Sequence, residues 1–278
     1  MKWQPEQLEP TLAAYAELTS QAAGADLIIW PEAAIPMPVE YIGPYLETMR
    51  RRAAERGSTL LLGVLRTVSD AEGNQTYQNV LLAMTEQPQF YVKRHLVPFG
   101  EYFPVPRFIR SWMRLMSLPY TDLAGGADDQ APLVVHGERL GVTICYEDVF
   151  GAEQLHYLQD ATLLVNVSND GWFGESIAIP QHLQIARVRA AEAGRYLLRA
   201  ANRGVTAVID QHGRIVDSIP AFAPGVLRAT VRGYTGATPY ARVGNYLIVL
   251  ACAVALAAAF AVERRSAPVS SPARAGTR

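Results

Sequence analysis

The chain has 278 residues, half of them hydrophobic, and a formal net charge of −1. That is enough apolar material for one large α/β domain with an appendage, or for two small domains, and the near-neutral balance argues against a nucleic-acid partner. Two cysteines, Cys145 and Cys252, support neither a disulfide framework nor a cysteine metal cluster, and the five histidines show no ligand spacing, so no metal and no other cofactor is expected.

Met1-Lys2-Trp3-Gln4-Pro5 lacks the basic and apolar regions of a signal peptide. Residues 6–23 read as a helix with Leu8, Leu12, Tyr15 and Leu18 on one face, stopped by Gly24. Leu27-Ile28-Ile29-Trp30 reads as a buried strand ended by Pro31-Glu32, and residues 38–56 as a second helix closed by Gly57. Strands follow at Thr59–Val64, Asn79–Met84 and Gln89–Val92, the last running into Lys93. Leu133–Val135 and Gly141–Ile144 pair across a turn containing Gly137, and Ile144 runs straight into Cys145. Ala161–Val167 is an apolar strand that opens into Ser168-Asn169-Asp170-Gly171-Trp172-Phe173-Gly174. A helix over 180–194 and a hairpin across Gln211-His212-Gly213 complete the body. The runs Leu27–Trp30 and Leu163–Val167 are apolar on both faces, which predicts sheets covered on both sides and hence a layered α/β sandwich.

Two segments point to lipid. In 106–117, Phe108, Ile109, Trp112, Met113, Leu115 and Met116 alternate with Arg107, Arg110 and Arg114, the pattern of a membrane-surface helix and equally of a core-facing one. Val243–Val262 holds no charge over about 20 residues, long enough to span a bilayer core of about 30 Å. The flanking Glu263-Arg264-Arg265, with Arg274 and Arg278, puts the tail on the cytoplasmic side and residues 1–240 on the other.

Glu32, Lys93 and Cys145 each follow a strand, and in open α/β sheets ligands bind at the carboxyl ends of strands. Taken singly, they fit bland roles: a helix-start acid, a solvated cation, a cysteine filling a core. Together they supply a base, a positive charge and a nucleophile.

A Glu, a Lys and a Cys at strand ends resemble the triad of the nitrilase superfamily of carbon–nitrogen hydrolases. The longer motifs resemble the apolipoprotein N-acyltransferases within it: Trp30–Pro36, Lys93–Tyr102, Cys145–Asp148, Asn166–Gly174, Gln181–Gln184 and Thr238–Asn245. The resemblance runs from about residue 1 to 262. It implies a nitrilase-like αββα sandwich over 1–235 whose first strand is missing, a linker at 236–242, one transmembrane helix at 243–262 and a cytoplasmic tail at 263–278. The family carries a bundle of transmembrane helices ahead of this region, so the chain reads as a carboxy-terminal portion. The resemblance makes Cys145 the nucleophile, Glu32 the general base and Lys93 the oxyanion stabiliser, with Lys93 lowering the thiol pKa. Glu101 then orients Lys93 or the attacking group, Tyr146 and Glu147 shape the pocket, and Asn79 is a further polar partner. Trp172 and Phe173 line an acyl entrance or pack on the core. The implied partners are a phospholipid acyl donor, a diacylated lipoprotein acceptor and the bacterial inner membrane, with the catalytic domain on its periplasmic face. Two alternatives stay open: an amidase acting on soluble substrates with water as acceptor, and a non-catalytic membrane-anchored fragment.

Overall fold

The computed structural model describes residues 5–69, 73–105 and 122–266. The described residues form two β-sheets with helices on their outer faces, the αββα order expected. The first sheet has four strands in the order β1-β2-β3-β4: Leu27–Trp30, Thr59–Ser69, Gln75–Ala83 and Gln89–Val92. The second has six strands in the order β10-β9-β8-β7-β6-β5: β5 Leu133–Val135, β6 Glu138–Ile144, β7 Leu163–Asn169, β8 Leu197–Asn202, β9 Thr206–Ile209 and β10 Ile215–Ile219. β1 and β2 are parallel, and so are β6, β7 and β8.

The alternation of side chains along the strands builds the layers. Leu60, Leu62 and Val64 of β2 face α1 (Leu8–Gln21) and α2 (Gly43–Ala54), packing with Leu46, Met49 and Ala53. Leu61 faces the other way, into the interlayer with Leu81, Leu140, Val142, Ile144 and Val165. The outer face of the six-stranded sheet packs Leu164 and Leu197 against α3 (Leu155–Leu158) and α4 (Ala178–Ala193), where Ala186, Ala190 and Ala193 let the helix approach closely. Each fully buried Leu or Ile in these layers contributes roughly 1.5–3 kcal/mol. One close approach matters for the site: a Cβ on Gly63 would lie 2.5 Å from the Pro31 carbonyl oxygen, so only glycine lets β2 pass beneath the Pro31-Glu32 turn.

The structure departs from the expectations at several elements. The helix expected over 38–56 is a 3-10 turn, Val39–Tyr41, followed by α2, because Pro44 starts a new helix at its first turn. β8 was absent from the expected elements: Arg199 and Asn202 interrupt its apolar run. The apolar helix begins three residues later than expected. Gly244, at φ 55°, separates the short α5 (Pro239–Val243) from α6 (Tyr246–Ser266). α6 is long and apolar enough to cross a membrane, and none of its apolar window is buried against the body. The amphipathic segment 106–117, Trp112 included, lies outside the described residues.

Candidate active site

Three strand ends converge. Glu32 follows β1, Lys93 follows β4, and Cys145 follows β6; all three side chains are buried. Lys93 is 1% exposed and its ammonium is held by two carboxylates, Glu101 at 2.7 Å and Glu32 at 3.1 Å. Burial works against that charge, but Glu32 first, and Glu101 through its charge and hydrogen bond, hold Lys93 above the ordinary lysine range. Asn79, on β3, donates to Glu32 Oε1 at 2.7 Å and reaches Glu101 Oε1 at 3.4 Å. The Asn169 amide donates to Glu32 Oε2 at 2.7 Å, and Asn202 donates to the Glu32 carbonyl at 2.8 Å. Glu101 in turn accepts from the Val97 amide at 2.8 Å. Both ends of the Lys93 salt-bridge pair are therefore fixed by other donors.

Cys145 sits at φ 51°, the left-handed region that a side chain rarely adopts and that costs about 1–3 kcal/mol. This sharp turn carries the chain from β6 into the 3-10 turn Cys145–Val149. Glu147 pins the turn: its Oε2 accepts from the Ile144 amide at 2.7 Å, and its Oε1 accepts from the Arg94 amide at 2.8 Å. The Tyr91 hydroxyl donates to the same carboxyl at 3.1 Å. Glu147 thus ties the loop after Lys93 to the turn bearing Cys145. Burial pushes its carboxyl pKa up, against those backbone donors. Tyr146 packs edge-on against Phe150, with ring centroids 5.1 Å apart, and against His95 at 5.7 Å.

The thiol corrects one expectation. Lys93 does lower its pKa, but burial and the neighbouring Glu32 charge outweigh it and push the thiol up to about 12. Cys145 therefore rests as the thiol at neutral pH.

A second charged cluster lies on the other side of Cys145, and no role in it was assigned from sequence. Asp148 and Asp170 are fully buried, and so is the guanidinium of Arg199, which bonds Asp170 Oδ2 at 2.9 Å and sits 3.6 Å from Asp148 Oδ2. His182, from the first turns of α4, lies between the two acids. Ser168 donates to Asp170 Oδ1 at 2.6 Å, and its hydroxyl works against the upward shift of the Cys145 thiol. Arg199 additionally bonds Asn166. The signal that was available is a cation inside an otherwise apolar strand, which requires a buried acid elsewhere.

Among these, Cys145, Asp170 and His182 offer one ligand atom each within 4.8 Å of one another. Their polar atoms already serve protein partners, and Arg199 occupies Asp170, so a divalent cation there would face a guanidinium. Trp172 and Phe173 follow β7; Trp172 is 79% exposed, and the Phe173 ring meets the His182 ring edge-on at 6.1 Å. Phe173 thus contacts the buried cluster, whereas Trp172 faces outward. A separate groove of about 1440 Å³ runs along β1 towards Phe222–Val231; Asn169 and Trp172 line it, but Glu32, Lys93 and Cys145 do not.

Residues 1–240 match the family described as carbon-nitrogen hydrolase. The apolipoprotein N-acyltransferase of Nitrosomonas europaea is 45% identical over 250 residues, which is 89% of this chain and 50% of that protein. The apolipoprotein N-acyltransferase of Methylococcus capsulatus is 41% identical over 267 residues, 96% of this chain and 52% of that protein. The chain thus spans about half the length of the curated relatives it matches. Among solved structures, the C. elegans NitFhit protein superposes with a TM-score of 0.58 at 18% identity, covering 77% of this chain and 55% of that one. Saccharomyces cerevisiae Nit3, a nitrilase-superfamily member, gives 0.54 at 16% identity over 77% of this chain and 79% of its own.

Proposed function

The chain belongs to the carbon–nitrogen hydrolase family, and from that premise we propose that it moves a fatty acyl group from a membrane phospholipid to the N-terminal amine of a diacylglyceryl-cysteine lipoprotein. Cys145 is the nucleophile. Glu32 takes the thiol proton as the sulfur attacks the ester carbonyl. The Lys93 ammonium, with the amide after Cys145, meets the oxyanion that develops. The carbon–oxygen ester bond breaks, Glu32 returns the proton to the leaving alkoxide, and a lysophospholipid departs, leaving an acyl thioester. The lipoprotein amine then attacks that thioester and gives its proton to Glu32. The carbon–sulfur bond breaks, and the sulfur is reprotonated. Glu101 positions Lys93 through its contact at 2.7 Å. Asn79 orients Glu32.

The observation that carries this reading is a buried lysine clamped between two carboxylates beside a cysteine at a left-handed turn. The choice of a lipid donor is supported by α6, whose apolar window is fully exposed and suits a bilayer, and by the relatives' name. In this reading α6 crosses the bacterial inner membrane, residues 1–235 form the catalytic domain on the periplasmic face, 236–242 link it to the helix, and the tail is cytoplasmic. Trp172 and Phe173 border the acyl entrance.

The test is reconstitution of the full chain in phospholipid vesicles with a synthetic diacylglyceryl-cysteine peptide. Transfer of one acyl group to the peptide amine, abolished by Cys145→Ser, is the expected result. Turnover of small amides with no lipid-dependent transfer contradicts it and favours a soluble-substrate amidase; transfer that survives Cys145→Ser contradicts the assigned nucleophile.

A further inference from the structure

The His182 ring has more acceptors around it than a neutral imidazole can serve. Its Nδ1 lies 2.8 Å from Asp170 Oδ1. Its Nε2 lies 3.2 Å from Asp148 Oδ1 and 3.3 Å from the Cys145 carbonyl oxygen. A neutral ring has one N–H and would turn a lone pair towards a carboxylate on its other side. Arg199 Nη2 also approaches Nδ1, at 3.1 Å, and one of its two N–H groups goes to Asp170 Oδ2 at 2.9 Å; its contact to Nδ1 is the longer one, whereas the contact between Nδ1 and Asp170 Oδ1 is shorter and meets a charged acceptor. The shorter contact to Asp170 therefore decides in favour of a proton on Nδ1, and the two oxygens at Nε2 call for another.

The ring reaches the nucleophile in two ways. It holds the carbonyl of the one residue in the turn that carries left-handed strain, while Glu147 holds the amide just before it. A ring nitrogen also lies within 4.8 Å of the sulfur. The other groups facing it are Asp148, Asp170, Arg199 and the Phe173 ring edge.

We infer that His182 is a positioning residue for the nucleophile: an imidazolium locked between Asp148 and Asp170 that grips the Cys145 carbonyl, keeps the turn left-handed and stabilises negative charge on the sulfur. This rests on Cys145 being the nucleophile, but not on the identity of the acyl donor or acceptor. Although burial works against the charge, Asp148 and Asp170 hold the ring's pKa up to about 9, so the grip is in place at neutral pH and is lost as pH rises through that value.

The experiment is alkylation of Cys145 by iodoacetamide in the full chain in detergent, followed by peptide mass and referenced to free glutathione at each pH. His182→Gln keeps a neutral donor where Nε2 stood; His182→Asn keeps one where Nδ1 stood. Both are expected to slow alkylation at pH 7.5 by about tenfold, one pKa unit's worth of lost charge. The ratio of wild type to variant is expected to shrink towards one above pH 9, which a merely structural defect would not produce. A folded variant that alkylates as fast as wild type at pH 7.5, or a ratio that stays constant through pH 9, overturns the inference. Should both variants fail to fold, ¹⁵N NMR of the wild-type ring decides: two protonated nitrogens at pH 7.5 support it, one protonated nitrogen overturns it. The acyl-transfer reading fails by a different result, transfer that survives Cys145→Ser.

Discussion

Cys145 sits between two buried charge clusters that differ in balance. On the side of the four-stranded sheet, two carboxylates, Glu32 and Glu101, share one ammonium, Lys93. On the side of the six-stranded sheet, two carboxylates, Asp148 and Asp170, face two cations, Arg199 and the His182 ring. The first has a carboxylate in excess and so has room to take up a proton. The second is neutralised, which suits a scaffold that keeps its charges through a reaction. In the proposed reaction Cys145 is a nucleophile that rests as a thiol, and it needs both: an acceptor for its proton and a rigid mount for its backbone.

That contrast can be broken most sharply at Lys93. Lys93→Met removes the one cation shared by two acids, and the acylation rate is expected to fall by about 10³-fold or more. The same change leaves buried carboxylates facing each other, so a loss of about 3–5 kcal/mol is also expected in denaturant unfolding. Glu32→Gln keeps the shape and removes the proposed base; steady-state transfer is expected to drop by about 10²–10⁴-fold with little change in stability. Arg199→Met should do the reverse in the other cluster, costing about 3–5 kcal/mol in unfolding by stranding Asp170 and Asp148. A variant that melts like wild type would remove the scaffold half of the comparison. Glu101→Gln keeps a neutral acceptor for Lys93, and about a tenfold loss of rate is expected, since it acts through another side chain.

The smallest effect is a pH dependence of stability. The His182 pKa is raised from 6.5 to about 9 in the folded chain. Its ion pairs thus stabilise the fold fully below pH 6.5, and that contribution is lost between 6.5 and about 9. A fall in Tm of several degrees across this window is expected for wild type, and a flatter profile for His182→Gln.

The same contrast explains what could be read in advance. The convergence of Glu32, Lys93 and Cys145 was legible because each follows a short apolar run, where one reactive residue stands out against β-branched and leucine neighbours. Lys93 and Glu101 share one motif, and the family resemblance left Glu101 orienting either Lys93 or the attacking group; the contact to Lys93 at 2.7 Å is the first of these. The second cluster was not legible. Its members come from the turns after β6 and β7, from β8 and from α4, and an arginine inside β8 disguises the strand that carries it. Asp170 and His182 stood in quoted motifs, but nothing in a linear pattern joins a histidine near the start of one helix to the carbonyl of a cysteine 37 residues away. The direction of the thiol shift was missed for a related reason: charge partners can be guessed from motifs, whereas the depth of burial that outweighs them exists only in the folded chain. The late start of α6 has a local cause, since Gly244 breaks the backbone direction where hydropathy alone sees a continuous apolar segment.

The most direct test is the mass of the Cys145 peptide after a single exposure of the full chain to phospholipid vesicles, quenched before any acceptor is added. One thioester-linked fatty acyl group on Cys145, present in wild type and missing from Lys93→Met, is the predicted result. An unmodified Cys145 peptide alongside undiminished transfer to a later-added acceptor would contradict the account, because the acyl group would then have travelled without resting on this sulfur.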